Sequence, residues 1–73
     1  MNYTPSKPTI LAFAVALQLS YNQTADLLGR AGFALSHSKK FDVIVEYFIK
    51  SQLYDVFLIN EVLFHYDQPL LGG

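Results

Sequence analysis

The chain contains no cysteine. Neither a disulfide nor a thiolate metal site is therefore open to it. It also lacks an apolar run of about 20 residues, the length a bilayer-spanning helix needs; residues 10–17, ILAFAVAL, form an apolar run of only eight. No glycine-rich loop leads into a helical stretch, which excludes a phosphate cradle of that type. Positive charge is scarce: five Lys and Arg stand against six Asp and Glu, for a net charge of −1. That is a thin footprint for a nucleic-acid binder. The two histidines, His37 and His65, are too few to build a site. Glu61 lies one turn before His65, but two protein ligands make neither a structural nor a catalytic zinc site. No serine stands at triad spacing from a histidine. The residues thus predict no catalytic group, no metal site and no cofactor. The opening MNYTPSKP lacks the charged-then-apolar order of a secretory signal, and with the missing cysteines this fits the cytoplasm.

What the chain has in excess is apolar surface. Its 73 residues are 52% hydrophobic, with a mean hydropathy of +0.26. That length makes a single domain over residues 1–73, and so small a domain has little interior in which to hide apolar groups. The surplus implies a face turned to a partner. Charge is unevenly divided. Residues 1–40 carry Lys7, Arg30, Lys39 and Lys40 against Asp26, whereas residues 41–73 carry Lys50 against Asp42, Glu46, Asp55, Glu61 and Asp67.

Four helices are predicted. Pro5 holds Thr4 extended, and Ser6 caps a first helix over residues 7–18, with Pro8 in its first turn. Its apolar run covers every face, so Leu11, Phe13, Ala14 and Leu17 are expected to be mostly buried. Ser20 and Gln23 have capping-box spacing for a second helix. Gly32 ends it as the left-handed C′ residue, with Phe33 placed to touch Leu28. Ser36 or Ser38 caps a third helix, KKFDVIVEYFIKS. There Phe41, Ile44, Val45 and Phe48 form the buried stripe, and Asp42, Glu46 and Lys50 form the opposite polar row. Residues 52–54 turn, and Asp55 caps a fourth helix whose inner face is Val56, Ile59, Asn60 and Leu63. Leu70 and Leu71 in the tail are expected to close the core.

The order Pro5-Ser6, Thr9, Ala16-Leu17, Leu19-Ser20 and Leu27-Leu28 resembles the last two helices of a lambda-repressor-like (Xre) helix-turn-helix domain. AGFALS, FDVIVEYF and INEVLF…QPLLG extend the likeness. They are similar to the C-terminal helical region of certain bacterial proteins in which it follows a macro domain, an ADP-ribose-binding fold, or a short helix-turn-helix-like segment. The resemblance implies an accessory region for a helix-turn-helix or macro-domain partner. The recognition helix of that family, which enters the major groove, has no counterpart in this chain.

These observations together predict an all-α, small orthogonal bundle of four helices. Its expected role is a non-catalytic interaction or dimerisation module. The homodimer is expected on the third and fourth helices, through Tyr47, Ile49, Phe57 and Phe64. The alternative is DNA binding, with the helix N-terminus at Ser6 and Lys7 gripping a phosphate; only weak nucleic-acid affinity is expected.

Overall fold

The computed structural model describes residues 5–72. The expected geometry at Thr4 lies outside them. The four predicted helices form, and among the described residues there is no strand: α1 is Lys7–Ala16, α2 is Tyr21–Arg30, α3 is Lys40–Lys50 and α4 is Val56–His65. α1 packs on α2 and α4, and α3 packs on α2 and α4. The radius of gyration is 11.4 Å, close to the value of about 11 Å for a compact chain of this size. No described helix is long and apolar enough to cross a membrane.

The helix starts follow local chemistry at three of four places. The Ser6 hydroxyl accepts from the Thr9 N–H, and the Asp55 carboxylate accepts from the Leu58 N–H. Ser20 and Gln23 form the reciprocal capping box. α3 departs from expectation: Lys39 is its N-cap, and no side chain caps it. Ser36 and Ser38 instead bond one another, hydroxyl to hydroxyl, at 2.8 Å.

All four helices end in the same way. The second residue past each helix is left-handed: Gln18, Gly32, Gln52 and Asp67, at φ 55°, 84°, 58° and 57°. The next N–H then donates back five residues to the third-last helical carbonyl. The pairs are Leu19 to Ala14, Phe33 to Leu28, Leu53 to Phe48 and Gln68 to Leu63, at 2.8–3.0 Å. These are Schellman closures. Each accepting carbonyl belongs to a residue buried in the interior.

The core joins Ile10, Leu11 and Val15 of α1 to Leu28, Val45, Phe48, Ile49, Ile59 and Leu63, with Leu71 from the tail. Three expectations need correction. Phe13 and Leu17 are 57% and 67% exposed. Although α1 is apolar all round, it buries only Ile10, Leu11, Ala14 and Val15, the side toward α2 and α4. On α3 the buried stripe is turned by one residue, to Asp42, Val45, Glu46, Phe48 and Ile49. Two members of the expected polar row therefore face inward, and Ile49 is core rather than interface. In the tail, Leu71 closes the core while Leu70 stays exposed. The cause is Asn60, whose Oδ1 accepts from the Leu71 N–H at 2.7 Å and whose Nδ2 donates to the Leu71 carbonyl at 3.4 Å.

A non-glycine residue in the left-handed region costs roughly 1–2 kcal/mol. Gln52→Gly removes that strain at an exposed site. Allowing for the greater freedom of unfolded glycine, the substitution is expected to stabilise the chain by about 0.5–1 kcal/mol. Urea denaturation measures it, and an unchanged midpoint would contradict the assignment of strain.

Candidate functional site

Two carboxylates on α3 are drawn into the molecule, and each meets a cation. Lys7 Nζ donates to Asp42 Oδ2 at 2.8 Å and to the Ala34 carbonyl at 2.6 Å. The Ser36 N–H donates to the same Oδ2 at 2.7 Å. Asp42 is essentially buried and the Lys7 side chain is 18% exposed. One carboxylate thus ties the start of α1, the α2–α3 connector and the first turn of α3. This is where the structure places the two residues proposed for phosphate. The Ser6 hydroxyl is occupied by its cap, and the Lys7 ammonium by Asp42. The cleft beside them, about 450 Å³ and lined by Lys39, Lys40 and Phe41 among others, already contains the carboxylate that neutralises Lys7.

Glu46 accepts from Lys50 Nζ at 2.8 Å, and His37 Nε2 lies 3.2 Å away. The Lys50 ammonium also stands 4.6 Å from the centre of the Tyr21 ring, on α2. The hydrogen bond from Lys50 lowers the Glu46 pKa, and the nearby His37 adds to this; partial burial works against both. The same bond raises the Lys50 pKa. Among the described residues no group of three potential ligands is placed to hold a metal. His65 is exposed and meets Tyr66 edge to face, not a metal partner.

Among the described residues one buried side-chain oxygen, Asp42 Oδ1, has no hydrogen-bond partner; the other unsatisfied surface is apolar. Phe57 and Phe64 are 88% and 75% exposed. Seven residues apart, they stand two turns from one another on one face of α4. Tyr47 is 61% exposed on α3 and meets Phe48 edge to face at 5.5 Å. Between α3 and α4 runs a groove of about 460 Å³ lined by Lys40, Val43, Ile44, Tyr47, Phe48, Val62 and Tyr66. Lys40 Nζ closes one end of it, 5.4 Å from the centre of the Tyr66 ring. Of the four residues predicted for an interface, the structure exposes Tyr47, Phe57 and Phe64 and withdraws Ile49. Tyr66 joins the surface although sequence reasoning passed over it; its aromatic character at the end of α4 was the available signal.

Comparison with family models, with curated proteins and with solved structures finds no match to this chain.

Two substitutions test the buried charges. Lys7→Met leaves Asp42 buried without its cation and is expected to cost about 3–5 kcal/mol, the usual penalty for breaking such a pair. Near-wild-type stability in a denaturant melt would show the pair to be dispensable. Because the Glu46 pKa is lowered on folding, its contribution is full above the ordinary value of 4.5 and is lost as pH falls through the lowered one. Lys50, with its raised pKa, holds its part until pH climbs past 10.5 and through its own raised value. Glu46→Gln should therefore lose less stability than wild type as pH falls below 4.5. Thermal melts at several pH values read this directly, and parallel acid limbs would assign the sensitivity to another carboxylate.

Proposed function

We propose that this chain is a non-catalytic helical interaction module that self-associates through the surface of α3 and α4. The observation that carries this reading is the exposure of Tyr47, Phe57, Phe64 and Tyr66 at 61%, 88%, 75% and 48%. At about 150–250 Å² for each fully exposed ring, Phe57 and Phe64 leave roughly 250–400 Å² open on one flank of α4, and Tyr47 and Tyr66 leave roughly 150–300 Å² open beside the α3–α4 groove. A specific interface takes about 800 Å² from each partner. Aromatic side chains are also the groups that most often carry binding energy at interfaces.

The resemblance to the end of Xre-like domains supports an accessory role beside a helix-turn-helix or macro-domain partner. In that setting the chain supplies association, and the partner supplies DNA or ADP-ribose recognition. Direct DNA binding is the weaker reading, since the Lys7 ammonium is already held by Asp42 and Ala34.

Sedimentation equilibrium over a range of micromolar concentrations tests the proposal. Wild type should show a reversible monomer–dimer equilibrium, and Phe57→Asp should shift it toward folded monomer by at least tenfold in Kd, about 1.4 kcal/mol or more. A monomer at every concentration would refute self-association.

A further inference from the structure

The tail is held by its backbone as well as by a buried side chain. Asn60 grips both polar groups of one residue: its Oδ1 accepts from the Leu71 N–H at 2.7 Å, and its Nδ2 donates to the Leu71 carbonyl at 3.4 Å. The Gly72 N–H donates to the Pro8 carbonyl, in the first turn of α1, at 3.1 Å. The Leu71 side chain is 5% exposed and joins the core, whereas Leu70 before it is 41% exposed. Gly72 is left-handed at φ 85°, yet an added Cβ would come no nearer than 4.0 Å to Ala12. Its backbone conformation, not crowding, is what calls for glycine.

These contacts amount to a recognition rule. The Asn60 amide needs a peptide N–H and carbonyl but reads no side chain. The core position takes leucine, since a smaller side chain would leave a void. The position before it is open, and the position after it must be glycine. Main-chain hydrogen bonds for affinity and one buried side chain for specificity are the parts of a peptide-recognition site. Residues 68–70, which lead into it, belong to no helix or strand, so the site holds a short strap rather than a packed element. We infer that the junction of α1 and α4 is a recognition site for a Leu-Gly segment of another protein, and that the chain's own Leu71 and Gly72 occupy it as a built-in competitor. The tail of a second copy is not that partner. A tethered tail meets its own site at an effective concentration in the millimolar range, so copies at about micromolar concentration satisfy themselves. The site uses α1 and the tail-facing side of α4, and it does not depend on association through the exposed aromatics of α3 and α4.

The probe is a blocked peptide of residues 67–72, DQPLLG. It is titrated into the isotope-labelled full chain to about 10 mM, enough to compete with the tether, while NMR follows the Asn60 side-chain amide. Gly72→Ala in the chain weakens the tail alone by roughly tenfold, the cost of left-handed backbone at a residue with a Cβ. That variant should therefore bind the peptide roughly tenfold more tightly than wild type does. The same change made in the peptide should weaken binding roughly tenfold to either chain. Leu71→Ala in the peptide should abolish binding, and Leu70→Ala should leave it within about twofold. The peptide arms use the wild-type chain, so they stand even if the chain variant folds poorly; circular dichroism checks its fold. No saturable shift at Asn60 in either chain would overturn the inference. A folded Gly72→Ala chain that binds no more tightly than wild type would also overturn it, because the peptide would not then be competing with the tail.

Discussion

The constraint on which this structure depends is the carboxylate of Asp42. α1 and α3 are far apart in sequence, and the connector before α3 docks through Phe33 and Leu35, which are only partly buried against the core. One buried oxygen accepts from Lys7 and from the Ser36 N–H, and the same ammonium holds the Ala34 carbonyl. Three segments are thereby fixed by a single charge. Removing an ion from water is costly, and a buried pair returns that cost only when its geometry is good and further hydrogen bonds complete it. Here the Ser36 N–H and the Ala34 carbonyl supply part of that completion, while the buried Asp42 Oδ1 has no hydrogen-bond partner. The pair therefore specifies which face of α3 turns inward at least as much as it adds stability.

The turn of α3 has consequences across the bundle. With Asp42 and Glu46 inside, Ile49 enters the core, and Tyr47 is left on the outside. Glu46 then needs its own cation, which Lys50 provides one turn on, at i, i+4 spacing. The Lys50 ammonium in turn lies over Tyr21 of α2. A polar row that would be solvated on an isolated helix is thus spent on contacts to α1, the connector and α2. The outer side of α3 is left with Val43 and Tyr47 exposed between Lys40 and Lys50.

Helices of ten or eleven residues are marginal in water by themselves. Four Schellman closures and three side-chain caps satisfy part of their orphaned backbone groups. Tertiary packing supplies the rest. Tyr54 donates from the α3–α4 turn to the Leu19 carbonyl in the α1–α2 turn at 2.8 Å, joining two connections that sequence places far apart. Asn60 fixes the tail in the same manner. The remaining apolar surface on α3 and α4 is what a chain of this size has no interior left to accommodate.

The sequence by itself determined the elements: their number, their order, and the caps at Ser6, Ser20 and Asp55. These depend on residues within one helical turn of each other, so local chemistry is enough. It also determined the closure at Gly32, because glycine alone enters the left-handed region without strain. The same closures at Gln18, Gln52 and Asp67 were not legible, since those residues adopt that backbone only when packing holds them there. Tyr47, Phe57 and Phe64 were legible as surface because they fall outside the inner stripe at helical spacing. Which face of α3 is inside was decided only by the tertiary structure. Periodicity could not distinguish the stripe beginning at Phe41 from the one beginning at Asp42, because a carboxylate reads as polar until its cation is in place. That cation, on Lys7, lies 35 residues away in the chain, and only the folded arrangement of α1 against the connector brings it there.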